Sequence, residues 1–111
     1  MEYVIEVYEN AAGKIPFNNW LDDLDVQLRQ KIRMKIQRLG LGNFGHCEPV
    51  GQNLFELKID LGPGFRVYFS KIAEKTLLVL WAGTKRHQQR DIEKAKEYLK
   101  DFKQGQRHGK K

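Results

Sequence analysis

A short hairpin-like stretch, LFELKIDLGPGFRVYFSKI at residues 54–72, contains four residues whose side chains can do chemistry. Lys58, Asp60, Arg66 and Tyr68 alternate there with the apolar residues of two predicted strands. Cationic and phenolic side chains on one sheet face either form a site or are solvated on an open surface. The elements around the hairpin must decide between these two interpretations.

The loop Gly62-Pro63-Gly64 predicts how the two strands pair. A three-residue loop pairs Leu61 with Phe65 and places the apolar residues of both strands on one face. Asp60 then lies opposite Arg66 on the polar face, where a solvated cross-strand ion pair contributes roughly a few tenths of a kcal/mol.

Positive charge is concentrated near the end of the chain. The 111 residues contain 20 Lys and Arg and 14 Asp and Glu, and the whole net charge of +6 lies in residues 84–111. A second basic segment, called here the basic stripe, comprises Arg29, Lys31, Arg33, Lys35 and Arg38. Such segments attract polyanions or acidic protein segments, although a basic helix is also commonly a solvated face.

Length and composition limit the class of protein. A chain of 111 residues can bury one core, so one domain is predicted. The longest apolar run, Leu77–Ala82, is far shorter than a membrane span of ~20 residues, so a cytoplasmic protein without membrane contact is expected. Cys47 and His46 lack further ligands at metal-binding spacing, so neither a metal nor another cofactor is predicted.

Hydrophobic periodicity predicts an α+β domain with the order strand, two helices, three strands, helix. The predicted strands cover 2–8, 54–61, 65–72 and 76–82, and 45–53 is turn-like. The predicted helices cover 16–24, the segment from the N-cap Asp25 to Leu39, and 87–103. This order favours a mostly antiparallel four-stranded sheet, with the helical hairpin and the C-terminal helix against one face and the other face partly open. Residues 1–103 form this domain, and residues 104–111 are expected to be a disordered basic tail.

Several segments occur in an order known from one group of proteins. LFELKI is followed by GPGFRVYF, an apolar strand then leads into WAGTKRHQQRDIEKA, and PFNNWLDDL opens the helical hairpin. In order and spacing they resemble the RelE/ParE superfamily of toxin-antitoxin toxins, in the branch of addiction module killer proteins, or HigB-like toxins. The resemblance covers about residues 14–102, and the superfamily has the same element order that the periodicity predicts.

The resemblance implies an mRNA interferase, an endoribonuclease that binds in the ribosomal decoding site, inhibits translation and needs no metal, because RNA supplies its own 2′-hydroxyl nucleophile. A co-encoded antitoxin, a helix-turn-helix protein, would silence it. By position, Arg66 would grip the scissile phosphate, Lys58 would neutralise charge or act as a base, and Lys85 would lie at the opposite rim. The RNA-binding residues would be Arg29, Lys31, Arg33, Lys35, Arg86 and Arg90.

The chain departs from the family pattern at two positions. Glu56 stands where ribosome-dependent members can have a second lysine, and Asp91 lies near the position of a tyrosine found in some members, so the proton-transfer groups stay open. His87 is a candidate acid or base because histidine titrates near neutrality, although a lone surface histidine is usually inert. Three roles are open for Tyr68: it could stack on a base, donate a proton, or only cover the sheet.

Two rival functions fit the same sequence. A ParE-like gyrase inhibitor would need no phosphate-gripping residues, so the presence of Lys58, Arg66 and Lys85 together favours the nuclease. A non-catalytic basic module that binds nucleic acid or a protein partner would need only the basic stripe and the tail.

Overall fold

The computed structural model describes residues 2–109 and confirms the α+β class. The strands are β1 (Val4–Val7), β2 (Cys47–Gly51), β3 (Leu54–Ile59), β4 (Phe65–Ala73) and β5 (Thr76–Thr84). The helices are α1 (Pro16–Asp22), α2 (Val26–Gly40) and α3 (Gln88–Gly109), and a 3-10 turn, Lys85–His87, leads into α3.

The sheet is mixed and has five strands, which corrects the predicted four-stranded sheet. Its order is β1-β5-β4-β3-β2, with β1 parallel to β5 and the other neighbours antiparallel. The additional strand is β2, which lies in the segment predicted to be turn-like. Its sequence, CEPVG, contains a proline and a glycine that weaken the strand signal, but an edge strand tolerates both because one of its sides forms no ladder.

Helices cover both faces of the sheet, so the prediction of one partly open face is wrong. α1 and α2 pack on the face that contains the alternating apolar residues of β3 and β4. α3 packs on the opposite face through Ile92, Ala95 and Leu99, which join Leu78 and Leu80 of β5 in a second core. The face that looks polar in β3 and β4 is therefore partly buried under α3.

The hairpin of β3 and β4 has a longer turn than predicted. Its last pair is Ile59 with Phe65, so residues 60–64 form the connection and Asp60 is not opposite Arg66. The glycines on either side of the proline have φ values of 51° and 84°, which glycine adopts without strain. The observed and predicted registers differ by an even number of residues, so the predicted division of side chains between the two faces is confirmed.

α3 extends beyond its predicted end at Lys103 and reaches Gly109. Residues 104–109 of the predicted disordered tail are therefore helical, and residues 110–111 lie outside the described part of the chain. Although α3 is long, it is polar on its outer side, and none of the helices within residues 2–109 is long and apolar enough to cross a membrane.

Tyr8 attaches the middle of α3 to the end of β1. Its hydroxyl donates a hydrogen bond to Asp101 Oδ2, and its ring stacks on Tyr98 with the centroids 4.9 Å apart. Burial raises the pKa of the Tyr8 phenol, and the hydrogen bond to Asp101 raises it further. The phenol therefore stays a hydrogen-bond donor at neutral pH and holds α3 at this end of the sheet.

Cys47 offers a test of the unexpected strand β2. It is half-buried, and desolvation raises the pKa of its thiol from the ordinary value of 9.0 to about 11. Because the thiolate is the reactive form, alkylation by iodoacetamide near pH 8 should be about 100-fold slower than for an exposed cysteine, and its rate should still be rising near pH 11. The control is Gln30→Cys in a Cys47→Ser background, since Gln30 is exposed on α2. Equal rates in the two proteins would contradict the burial of Cys47.

Candidate functional site

A buried ion pair lies on the sheet face beneath the start of α3. Glu56 of β3 and Arg66 of β4 are diagonal neighbours, because Glu56 is opposite Tyr68 and Arg66 is opposite Lys58. Arg66 Nε lies 3.2 Å from Glu56 Oε1, and the two side chains are only 8% and 3% exposed. Little water can screen these charges, so each depends on the other for compensation.

Hydrogen bonds extend this ion pair to α3. The side-chain amide of Gln88 donates to both carboxylate oxygens of Glu56, at 2.9 Å each. Arg66 Nη1 donates to the carbonyl oxygen of Phe65 at 3.1 Å. Glu56 therefore connects β3, β4 and the first turn of α3, and Arg66 is held inside the protein.

Tyr68 lies beside the ion pair and is fully buried under α3. Burial is the main cause that raises the pKa of its phenol, the charges of Glu56 and Asp91 raise it further, and Arg66 opposes them. The phenol therefore stays protonated at neutral pH. This placement favours the role in which Tyr68 only covers the sheet. Its ring has no exposed surface on which a base could stack.

Lys58 forms a different kind of pair. Its Nζ lies 2.7 Å from Glu48 Oε2 of β2, and the two side chains are 34% and 59% exposed. Such an exposed pair contributes about 0–1 kcal/mol, so a phosphate group can replace Glu48 at little cost. Lys58 is thus accessible to an incoming anion, whereas Arg66 is not.

A group of exposed basic residues, called here the basic rim, follows β5. It comprises Lys85, Arg86, His87 and Arg90. The backbone N–H of Lys85 donates to the carbonyl oxygen of Gly64 at 2.9 Å, which attaches the 3-10 turn to the turn between β3 and β4. Lys58 lies near the end of β3, next to this turn. The basic rim and Lys58 are therefore at the same end of the sheet.

The basic stripe belongs to α2 and lies with it on the other face of the sheet. Its members are exposed, except that Arg29 and Lys35 are half-buried. Arg29 Nη1 donates to the carbonyl oxygens of Asp22 and Leu24 at the end of α1, each at 3.2 Å. The structure therefore does not bring the predicted RNA-binding residues of α2 and of the basic rim onto one face.

A cleft in the described part of the chain lies away from the candidate site. The cleft, of about 650 Å³, lies between α3 and the β2–β3 turn, where Gln52, Lys96 and Lys100 form part of its lining, and this lining includes neither Lys58 nor the basic rim. Within residues 2–109, no group of three or more His, Cys, Asp or Glu side chains could hold a metal ion. The candidate site consists of the buried pair Glu56 and Arg66 and of the exposed charges of Lys58 and the basic rim.

The sequence did not predict the ion pair of Glu56 with Arg66 or the hydrogen bonds of Gln88 to Glu56. A register shifted by two residues would have shown Glu56 diagonal to Arg66, but the loop-length rule favoured Asp60 as the partner. No sequence signal identifies Gln88, because a glutamine in the first turn of an amphipathic helix is equally common on a solvated face.

Comparisons of the sequence with known proteins identify the family of the chain. The model of the family "Phage derived protein Gp49-like (DUF891)" matches residues 19–100. The chain is also 39% identical to an uncharacterized protein of Haemophilus influenzae over 83 residues, which cover 74% of this chain and 84% of the relative.

The chain therefore belongs to the Gp49-like family of phage-derived proteins. This is the family of addiction module killer, RelE-like toxins, which confirms the broader part of the resemblance seen in the sequence. The assignment to the HigB-like branch stays a prediction.

Removing one partner of the buried ion pair should be far more damaging than removing an exposed lysine. Arg66→Ala leaves Glu56 buried without compensation, so the free energy of unfolding measured in urea should fall by about 3–5 kcal/mol. Lys58→Ala breaks only an exposed pair and should cost no more than about 1 kcal/mol.

Removing both partners of the pair separates charge from packing. Arg66→Met combined with Glu56→Leu replaces two buried charges by apolar groups of similar size, and should recover most of the stability lost in Arg66→Ala. If Arg66→Ala is as stable as the wild type, the pair does not hold β3 and β4 to α3.

Proposed function

We propose that the protein is the toxin of a type II toxin-antitoxin pair and that it cleaves mRNA on the ribosome without a metal ion. The observation that carries this proposal is the basic rim, four exposed basic residues attached to the hairpin end that presents Lys58. Membership in the Gp49-like family supports the toxin part of the proposal.

The proposed chemistry uses the 2′-hydroxyl of the RNA itself. Its oxygen attacks the adjacent phosphorus, the bond from phosphorus to the 5′-oxygen breaks, and the products are a 2′,3′-cyclic phosphate and a 5′-hydroxyl. A base accepts the proton of the 2′-hydroxyl, and an acid donates a proton to the leaving 5′-oxygen. Cations stabilise the charge that develops on the phosphorane.

The exposed residues are the ones proposed to contact RNA. Lys58 and Lys85 are the proposed cations at the reacting phosphate, and His87 is the proposed proton-transfer group, because all three reach solvent at the same end of the sheet. Arg66 is assigned a supporting role, since it cannot grip a phosphate without leaving the buried Glu56 uncompensated. Arg66 keeps the first turn of α3 in position instead.

The proposed partners follow from the charge distribution. The family implies an antitoxin, and the excess of positive charge in residues 84–111 supports an antitoxin segment that is acidic. The basic rim is also the proposed first contact with RNA, and the basic stripe of α2 is proposed as an outer contact with ribosomal RNA.

A gyrase inhibitor is a second candidate, and one observation favours it. The guanidinium group of Arg66, which the resemblance implies would grip the scissile phosphate, is buried against Glu56 and is not presented to a phosphate. A toxin that acts only by binding its target needs no such group.

Induction of the protein alone in bacteria should separate the two candidates. We expect growth to stop, transcripts to gain new 5′ ends inside translated regions, and plasmid supercoiling to stay unchanged. Co-expression of the antitoxin should restore growth. Altered supercoiling with intact transcripts would identify a gyrase inhibitor instead and would contradict the proposed RNA cleavage.

The same assay tests the proposed cations. Lys58→Ala and Lys85→Ala should each lower cleavage by about 10²–10³-fold, because each removes a charge that stabilises the phosphorane. Their circular dichroism spectra should match the wild type, since both side chains reach solvent. Lys75→Ala, at an exposed lysine in the turn between β4 and β5, is the matched control. Full cleavage by both variants would remove these two lysines from the site.

Salt dependence tells whether RNA contacts the basic rim or the basic stripe. With a single-stranded RNA oligonucleotide, each phosphate contact that is lost should reduce the slope of log affinity against log salt by about 0.7. Arg86→Glu with Arg90→Glu should reduce this slope, and Lys31→Glu with Arg33→Glu should change it less. The opposite ranking would show that RNA lies on the α2 side of the sheet.

A further inference from the structure

The carboxylate of Asp91 in α3 occupies the space in which residue 83 would have a side chain. A Cβ atom added to Gly83 would lie 2.8 Å from Asp91 Cγ and closer still to Asp91 Oδ2, nearer than real Cβ contacts allow. Gly83 is therefore the position in β5 that lets α3 place a carboxylate directly against the strand backbone.

Asp91 is also hydrogen-bonded to the same strand. Trp81 Nε1 donates to Asp91 Oδ1 at 3.0 Å. Trp81 and Gly83 are two residues apart and therefore lie on the same face of β5. One carboxylate thus contacts both positions, with Oδ1 at the indole of Trp81 and Oδ2 at the backbone of Gly83.

This contact is energetically unfavourable for one oxygen of the carboxylate. Asp91 is only 3% exposed, and among the described residues its Oδ2 has no hydrogen-bond partner. The nearby cation Arg90 lies 3.8 Å from Oδ1 and is itself 71% exposed, so it compensates the charge only weakly. Burying an unpaired carboxylate oxygen costs free energy, so this contact defines a geometry at some cost in stability.

The segment 85–90, which carries the basic rim, is anchored at both of its ends. At the first end, β5 pairs with β4 and the N–H of Lys85 bonds to Gly64. Within its second half, Gln88 donates to Glu56, and Asp91, which follows the segment directly, contacts β5. A six-residue segment held in this way has few accessible conformations, so its side chains project from a fixed backbone.

We propose that Asp91 is a positioning residue, which fixes the basic rim relative to Lys58 by its contacts with Gly83 and Trp81 and does not itself transfer a proton. The positioning is a property of the folded chain alone. Only its effect on RNA cleavage rests on the proposed function.

Two substitutions of Asp91 separate positioning from proton transfer. Asp91→Asn keeps the planar shape and an oxygen that accepts from Trp81, so the Trp81 indole proton should keep its chemical shift, and hydrogen exchange in residues 85–90 should match the wild type. Asp91→Ala should move that indole resonance upfield and speed exchange in residues 85–90 by on the order of tenfold. The indole of Trp20, which packs on Phe17 and Phe65 at the other face, is an internal reference that should not move.

Substitution of Gly83 tests the contact from the other side. Gly83→Ala should displace Asp91, shift the Trp81 indole resonance and lower the midpoint of thermal unfolding. Combining it with Asp91→Ala removes the clash, so this double variant should unfold at a higher temperature than Gly83→Ala alone while its segment 85–90 still exchanges fast. Gly105→Ala is the control, because within the described residues a Cβ there meets nothing within 4 Å.

Cleavage of a defined mRNA in a translating cell extract gives the functional readout. Asp91→Asn should cleave within about threefold of the wild type, and Asp91→Ala should lose about 10²-fold, as expected for misplaced reacting groups. A folded Asp91→Asn protein with a protected basic rim but no cleavage would show that Asp91 is itself catalytic and would overturn the proposal. An unchanged indole shift and unchanged exchange in Asp91→Ala would also overturn it. If the wild type cleaves no RNA, the proposed function fails, while the indole shift and the exchange rates still decide the positioning.

Discussion

The ion pair between Glu56 and Arg66 determines how α3 can lie on the sheet. A guanidinium group in the middle strand of a covered face requires a counter-charge within reach, and Glu56 on the neighbouring strand supplies it. The carboxylate of Glu56 has oxygens left over, and the amide of Gln88 in the first turn of α3 binds both of them. The apolar contacts of α3 favour burial in general, whereas this polar connection specifies where along the sheet the helix begins.

Burial divides the basic residues implied by the family resemblance into two groups. Arg66 lies in the interior and maintains the framework, whereas Lys58, Lys85 and His87 reach the solvent. The residues that reach the solvent are therefore not the ones with the most rigid surroundings. The exposed residues Lys85 and His87 are held in place indirectly. The backbone of the 3-10 turn bonds to the turn between β3 and β4, and the first turn of α3 bonds to Glu56.

Much of the fold could be predicted because alternation reports which side chains share a face, and the division of β3 and β4 into two faces is correct. The register could not be predicted, because turns of three and of five residues satisfy the same even-number rule. Polarity also does not reveal burial: Glu56 and Arg66 look like solvated residues until their pairing is known. One overlooked signal existed in the apolar run Leu77–Ala82, since a strand without alternation is typical of a sheet covered on both faces.

The remaining parts of the site depend on contacts between distant segments. β2 has a weak strand sequence and exists because β3 provides a ladder for it. Asp91 reads as an ordinary first-turn acid of a helix, and only the fold brings it onto Gly83. Gly83 was visible in the sequence as a glycine near the end of a strand, a position that often marks a close approach of another group.

The parallel pairing of β1 with β5 also governs when the protein can form during its own synthesis. β1 is at the edge of the sheet and its strand neighbour is β5, with Val4 paired to Thr76. Its ladder therefore closes a loop of roughly 70 residues, and this closure is entropically costly. A nascent chain that ends before β5 has no partner for β1 and no strand from which the segment 85–90 can continue. Chains that end before β5 thus lack the strand that joins β1 to the rest of the sheet, and they also lack the basic rim.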